Sequence, residues 1–129
     1  MTQTTSPAAQ AVILFGHGAR DPEWAGPMQR IRDTMRVRAP GQHVELAFLE
    51  FMSPTLDLAV DELVARGVTR IAVVPVFLAQ GGHLKRDVPV LLDAARQRHP
   101  GCEFHLSLAV GEAPGVVAAI AEYGLSAFD

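Results

Sequence analysis

Four short apolar runs, each followed by an amphipathic stretch, constrain this chain more than any other feature. Ala11–Phe15 (AVILF) stops at Gly16, and His43–Glu50 (HVELAFLE), Arg70–Phe77 (RIAVVPVF) and Cys102–Leu108 follow with room for one helix between each pair. The runs are short and rich in β-branched residues, as buried strands are. Between them, apolar residues recur at helical spacing. Met28, Ile31 and Met35 lie within Trp24–Arg38, which Pro40-Gly41 ends. Leu56, Val60, Leu63 and Val64 form a stripe up to Gly67, and Ser53 reads as an N-cap with Pro54 in the first helical position. Val88, Leu91, Leu92 and Ala95 mark a helix over Leu84–Arg98, broken by His99-Pro100-Gly101, and Pro114 opens a last helix through about Ala121. Pro75 is awkward inside its run, because proline has no N–H for a ladder.

Strand and helix in strict alternation predict an α/β fold with a parallel sheet covered on both faces. Right-handed crossovers make it one doubly wound domain, with four strands in the flavodoxin-like order 2-1-3-4. A length of 129 residues suits a single domain, taken as residues 11–129 after a flexible polar tail over residues 1–10. That tail lacks the cationic and apolar segments of a signal peptide. No apolar run approaches the ~20 residues of a membrane span, so no membrane partner is expected. Eleven Lys and Arg against 14 Asp and Glu, a net charge of −3, give no ground for a nucleic-acid partner. Cys102 is the single cysteine, which excludes an intrachain disulfide or a cysteine-built zinc site and fits a cytoplasmic location. No Gly-x-Gly-x-x-Gly, Walker loop or Gly-x-Ser-x-Gly elbow is present, so no nucleotide cofactor is expected.

Ligands of open α/β sheets bind beyond the carboxyl ends of the strands. Strand one is followed there by Gly16-His17-Gly18-Ala19-Arg20-Asp21, strand two ends at Glu50, strand three leads to Gln80-Gly81-Gly82-His83, and strand four to Gly111-Glu112. His17 to Glu50 and Glu50 to His83 are equal steps of 33 residues. In the order 2-1-3-4 these three side chains emerge from adjacent strands. Imidazole and carboxylate suit borderline divalent metals, and a three-ligand set with open positions suits catalysis or transfer rather than a closed structural site. The imidazoles also accept protons near neutrality. Arg20, Lys85 and Arg86 border the site, and the N–H groups of Gly81 and Gly82 favour an anion there. His43 and His105 are expected on the opposite or buried side, His99 at a helix end, Met28, Met35 and Cys102 in the core, and Trp24 packed at a helix start.

GHGARDP (residues 16–22), FLEFMSPTL (48–56) and VPVFLAQGGHLKRDVP (74–89) together resemble the sirohydrochlorin cobaltochelatase family, short CbiX type. The resemblance runs from about Val12 to Glu112. It implies a chelatase-like fold and insertion of a divalent metal into sirohydrochlorin or a related anionic tetrapyrrole. The metal, a substrate, is expected to be Co2+, with Fe2+ or Ni2+ as alternatives. Catalytic and metal-binding roles are implied for His17 and His83, with Glu50 a further candidate. Leu78, Ala79, Gln80, Gly81 and Gly82 are implied to line the tetrapyrrole, with Arg20, Lys85 and Arg86 on its carboxylates. Ala19 stands where the family often has serine. The chain is also about half the length of two-lobed chelatases, and a flat macrocycle needs walls on both sides, so a homodimer with the cleft between subunits is expected. Two other readings stay open: a non-catalytic metal or tetrapyrrole carrier, and a phosphotransfer enzyme using the histidine of GHGAR.

Overall fold

The apolar runs become parallel strands β1 (Gln10–Gly16), β2 (His43–Phe48), β3 (Arg70–Pro75) and β4 (Glu103–Leu106), hydrogen-bonded in the order β2-β1-β3-β4. The computed structural model describes Ser6 and residues 9–129, except the side chain of His83. Its helices are α1 (Gly26–Arg38), α2 (Leu56–Ala65), α3 (Gly82–Arg98) and α4 (Pro114–Leu125). Class and strand order are those expected from the sequence. Of the expected tail, residues 1–5 and 7–8 lie outside the described residues, and Gln10 already belongs to β1.

Pleating divides the core into two. Ala11, Ile13, Phe15, Ile71 and Val73 point to the face where α2 and α3 contribute Leu56, Val60, Leu63, Val88 and Leu92. Leu14, Val44, Leu46 and Phe48 point to the other face and meet Met28 of α1, with Met35 at the margin. No helix among the described residues is long and apolar enough to cross a membrane.

The boundaries moved for identifiable reasons. β3 closes at Pro75, whose missing N–H faces the β4 side. The last pair with β4 is Val73–Leu106, so no bond is lost there, and the Val76 N–H still reaches the Phe15 carbonyl at 2.8 Å. Ser53 and Pro54 do not start α2. Their peptide bond is cis, the Pro54 carbonyl accepts from the Phe48 N–H at 2.9 Å, and Thr55 is the cap, its hydroxyl accepting from the Leu58 N–H. Trp24 sits in a 3-10 turn, Pro22–Ala25, opened by the Asp21 carboxylate, and packs edge-on against Phe48. α3 starts two residues before the expected Leu84, with Gly81 as its N-cap. α4 continues to Leu125.

His43 opens β2, at the end of the sheet opposite the carboxyl edge, and is half-buried, while His105 lies within β4 and is exposed rather than buried. His99 caps the end of α3, with Nε2 2.6 Å from Asp61 Oδ1. Cys102 is buried, and that burial, with Glu103 alongside, pushes its thiol pKa up, which keeps it in the unreactive protonated form.

Candidate functional site

The ends of β1 and β2 are level, because the register pairs Gly16 with Phe48. The pairing continues past both strands. The Leu49 N–H donates to the Gly16 carbonyl at 2.9 Å, and the Glu50 N–H to the His17 carbonyl at 3.1 Å. This carries the two side chains together: His17 Nε2 lies 2.9 Å from Glu50 Oε1, and each side chain is 48% exposed. An ionised carboxylate only accepts, so Nε2–H is the donor and the lone pair of a neutral ring lies on Nδ1. The pair thus offers a basic nitrogen, aligned by a carboxylate, at the carboxyl edge of the sheet.

Two backbone positions fix that geometry. Gly18 has φ +92°, and a β-carbon there would lie 1.9 Å from the Glu50 carbonyl oxygen. Only glycine permits this crossing of chains. Phe51 has φ +67°, a left-handed conformation that is unusual for an aromatic residue, and its ring is largely exposed. The Arg20 guanidinium stands 5.0 Å over that ring, a cation–π contact. Beside them a hollow of about 400 Å³ opens, lined in part by Arg20, Gln29, Arg32, Phe48, Phe51 and Met52. Sequence reasoning gave no role to Phe51, since nothing in an aromatic side chain signals a positive φ.

The β3 side is built differently. β3 closes at Pro75 rather than Phe77, and α3 has already begun when the chain reaches His83. Residues 76–81 intervene, and His83 is the second residue of α3. Phe77 anchors this loop, its ring edge-on to Phe15 with centroids 6.0 Å apart. Gly111 backs it: its N–H donates to the Phe77 carbonyl, and a β-carbon on it would lie 1.8 Å from the Leu78 carbonyl oxygen. Leu78 and Ala79 are exposed and Gln80 half-buried. Gly81 has ordinary extended geometry, φ −66° and ψ 163°, and a β-carbon on Gly81 or Gly82 would meet nothing within 4 Å. The fold itself does not require glycine at either position. Lys85 and Arg86 are exposed in the first turn of α3.

Of the expected three-residue metal set, the structure brings His17 and Glu50 together. Among the described residues no group of three His, Cys, Asp or Glu stands close enough to hold a metal ion. The third expected member, the His83 side chain, lies outside the described residues.

The CbiX family model matches residues 11–124, which include the His17–Glu50 pair, the Leu78–Gly82 loop and Gly111. A sirohydrochlorin cobaltochelatase of Methanopyrus kandleri is 42% identical over 82 residues, covering 64% of this chain and 57% of that protein. The chain therefore spans under two-thirds of that relative's length. Among solved structures, a putative cobalamin (vitamin B12) biosynthesis CbiX protein of Marinobacter aquaeolei superposes with a TM-score of 0.79 at 28% identity, covering 90% of this chain and 94% of that one. The sirohydrochlorin chelatase SirB of Bacillus subtilis subspecies spizizenii, in complex with cobalt, superposes with a TM-score of 0.76 at 27% identity, covering 92% of this chain but 50% of SirB. The match runs over most of the chain and the fold agrees with the solved structures: the chain belongs to the CbiX family.

Proposed function

We propose that this protein is a sirohydrochlorin chelatase that inserts a divalent metal, Co2+ in the first place, into the macrocycle. The observation that carries the reading is the His17–Glu50 pair, 2.9 Å apart at the carboxyl edge of the sheet and within the CbiX match. Metal insertion forms bonds from metal to ring nitrogens and expels two pyrrole protons. His17 accepts one on Nδ1, the other passes to solvent, and Glu50, already bonded to Nε2–H, stabilises the imidazolium and holds the imidazole in place. His83, in the first turn of α3, is assigned as the second imidazole for the incoming metal. Arg20 beside Phe51, Lys85, Arg86 and the N–H groups of the first turn of α3 are assigned to the carboxylates of the tetrapyrrole. Room for the flat ring is left by Gly81 and Gly82, which carry no side chain into the open space before α3.

Cobalt takes precedence because the relatives above are a cobaltochelatase and a cobalt complex. Iron and nickel suit the same donors, and affinity order alone does not select among them. We assign a homodimer with the tetrapyrrole cleft between subunits, residues 11–129 as the catalytic domain, and the cytoplasm as location, which suits the free thiol of Cys102.

The test is insertion of Co2+, Ni2+ and Fe2+ into sirohydrochlorin followed by absorbance, for the natural chain, His17→Ala and His83→Ala. Multiple turnovers with the natural chain and a loss of at least about 100-fold in each variant are expected. Stoichiometric binding without turnover would establish a carrier instead. Unchanged turnover in His17→Ala would remove that residue from the mechanism.

A further inference from the structure

The hollow beside Phe51 reaches well below the His17–Glu50 pair. Its lining extends from Arg20 and Phe51 at the mouth to Arg32 of α1 and Glu45 of β2. Its volume of about 400 Å³ falls within the roughly 300–1,000 Å³ of small-ligand sites. Phe48 and Glu45 stand roughly 10 Å apart along an extended strand, so the hollow runs from the carboxyl edge down the flank of the sheet. Both of its walls are tied in place. Arg36 of α1 donates from Nε and Nη2 to the Val44 carbonyl at 3.1 and 2.7 Å, and the Phe48 N–H donates to the Pro54 carbonyl at 2.9 Å. The mouth adjoins the His17–Glu50 pair, because Phe51 follows Glu50 directly and Arg20 closely follows His17.

The floor of the hollow is apolar, built on the buried Leu46 and Phe48. Above it stand two guanidinium groups. α1 runs back from the carboxyl edge, and helical side chains lean toward the N-terminus of their helix. Gln29 and Arg32, on one face of α1, therefore lean up the hollow toward Arg20. Among the described residues Arg20 makes no ion pair, and Arg32 engages only Asp33, through Nε at 2.9 Å. The terminal nitrogens of both groups are left for a ligand. Glu45 is the one acid of the described lining, and Arg36 at 3.3 Å and Arg66 at 3.4 Å neutralise it from outside the hollow.

An apolar floor under two guanidinium groups suits aliphatic carboxylates, with methylenes on the floor and each charged head on an arginine. Sirohydrochlorin carries one acetate and one propionate arm on each pyrrole, so its carboxylates come in adjacent pairs. We propose that the hollow seats one pyrrole edge of the tetrapyrrole, Arg20 at the mouth taking one carboxylate and Arg32, with the Gln29 amide beside it, taking the other. A ring of four pyrroles is too broad to enter, whereas one edge with its two arms is not. The Phe51 ring, 57% exposed at the mouth, lies against the face of the seated pyrrole. The inference rests on the chelatase reading above for its ligand, and it adds the residues that select the ligand. A macrocycle with both arms on a pyrrole engages both arginines, and one with a single arm leaves one of them unused.

The full chain, Arg32→Gln and Gln29→Glu are compared. Gln29 is exposed and Arg32 makes only a surface ion pair, so circular dichroism should be unchanged in both variants. Binding is read by absorbance and fluorescence with three metal-free macrocycles: sirohydrochlorin, uroporphyrin with both arms on each pyrrole, and coproporphyrin with methyl groups in place of the acetates. Each substitution is expected to weaken sirohydrochlorin and uroporphyrin by at least about tenfold, the scale of a charge-assisted hydrogen bond, and coproporphyrin by much less. In the insertion assay KM should rise while kcat holds, the mark of a group that binds without taking part in the chemistry. Free succinate in excess tests the other source of the same chemistry, and it should not displace the macrocycle. Succinate that binds through Arg32, with macrocycle binding indifferent to both substitutions, would overturn the proposal in favour of a free dicarboxylate. Normal turnover with an unchanged KM in both variants would overturn the seat and leave the chelatase intact. Binding that depends on Arg32 without any turnover would support the seat while removing the catalytic reading, and a natural chain that binds none of the three macrocycles would overturn both.

Discussion

Gly18 lies so close beneath Glu50 that a β-carbon on it would stand 1.9 Å from the Glu50 carbonyl oxygen. The glycine also has φ +92°, so an L side chain there is strained twice over. Gly18→Ala is therefore expected to push the Glu50 backbone away and open the 2.9 Å bond from His17. Metal insertion should fall by at least about 100-fold, with a loss of roughly 1–3 kcal/mol in stability. Turnover assays alongside urea unfolding check this. Unaltered turnover in a folded Gly18→Ala protein would contradict the positioning of Glu50.

Gly82 gives the opposite expectation for stability. Nothing in the chain comes within 4 Å of a β-carbon built on it, and alanine suits a helical position better than glycine. Gly82→Ala should leave the unfolding free energy unchanged or raised by up to about 1 kcal/mol. If the open space belongs to the macrocycle, KM for sirohydrochlorin should rise several-fold. A variant that is more stable with an unchanged KM would show that the ring does not pass there.

Gly111→Ala tests the support of the neighbouring loop. Its β-carbon would collide with backbone, 1.8 Å from the Leu78 carbonyl oxygen and 2.5 Å from Leu78 Cα. Backbone cannot swing aside as a side chain can, so the Leu78–Gly82 segment has to shift. Stability should drop by about 2 kcal/mol or more, the scale of overpacking, and KM should rise. A melting temperature within 1 °C of the natural chain would argue against this contact.

The pH dependence has one readable component. The His99 imidazole and then Arg98 hold the Asp61 carboxyl below its ordinary value of 3.8, against an opposing effect of partial burial. A pKa depressed by folding means the unfolded chain binds the proton more readily. The contribution is therefore present above about pH 4 and fades as pH falls through the folded pKa. The pair is half-exposed, which limits its worth to about 1 kcal/mol at most. Asp61→Asn should be slightly less stable than the natural chain at pH 7, and the gap should be smaller at pH 3. A gap of equal size at both pH values would rule out this linkage.

Strand order and the meeting of His17 with Glu50 were legible in the sequence, because both follow from period and chain direction. Short runs such as AVILF, and HVELAF within HVELAFLE, read as strands, and parallel strands with level ends deliver their next residues to one edge. The equal 33-residue steps were a weaker guide. They place Glu50 correctly beside His17, but His83 falls in the first turn of α3 because six residues intervene after Pro75 (residues 76–81). The cap of α2 was misread because Ser53 and Thr55 are both good N-caps, and the choice depends on a tertiary bond from Phe48 to Pro54. Phe51 was illegible for a like reason. Its left-handed backbone directly follows the point where Glu50 crosses Gly18, and nothing in its own side chain signals that conformation.

The His17–Glu50 pair is open to water on one side, each side chain 48% exposed. A proton taken up there needs no wire of residues to leave, because solvent already touches the acceptor. On the proposed chelatase reading, exchange with the bulk lets the same imidazole be reset between rounds of metal insertion without help from any other residue of the chain.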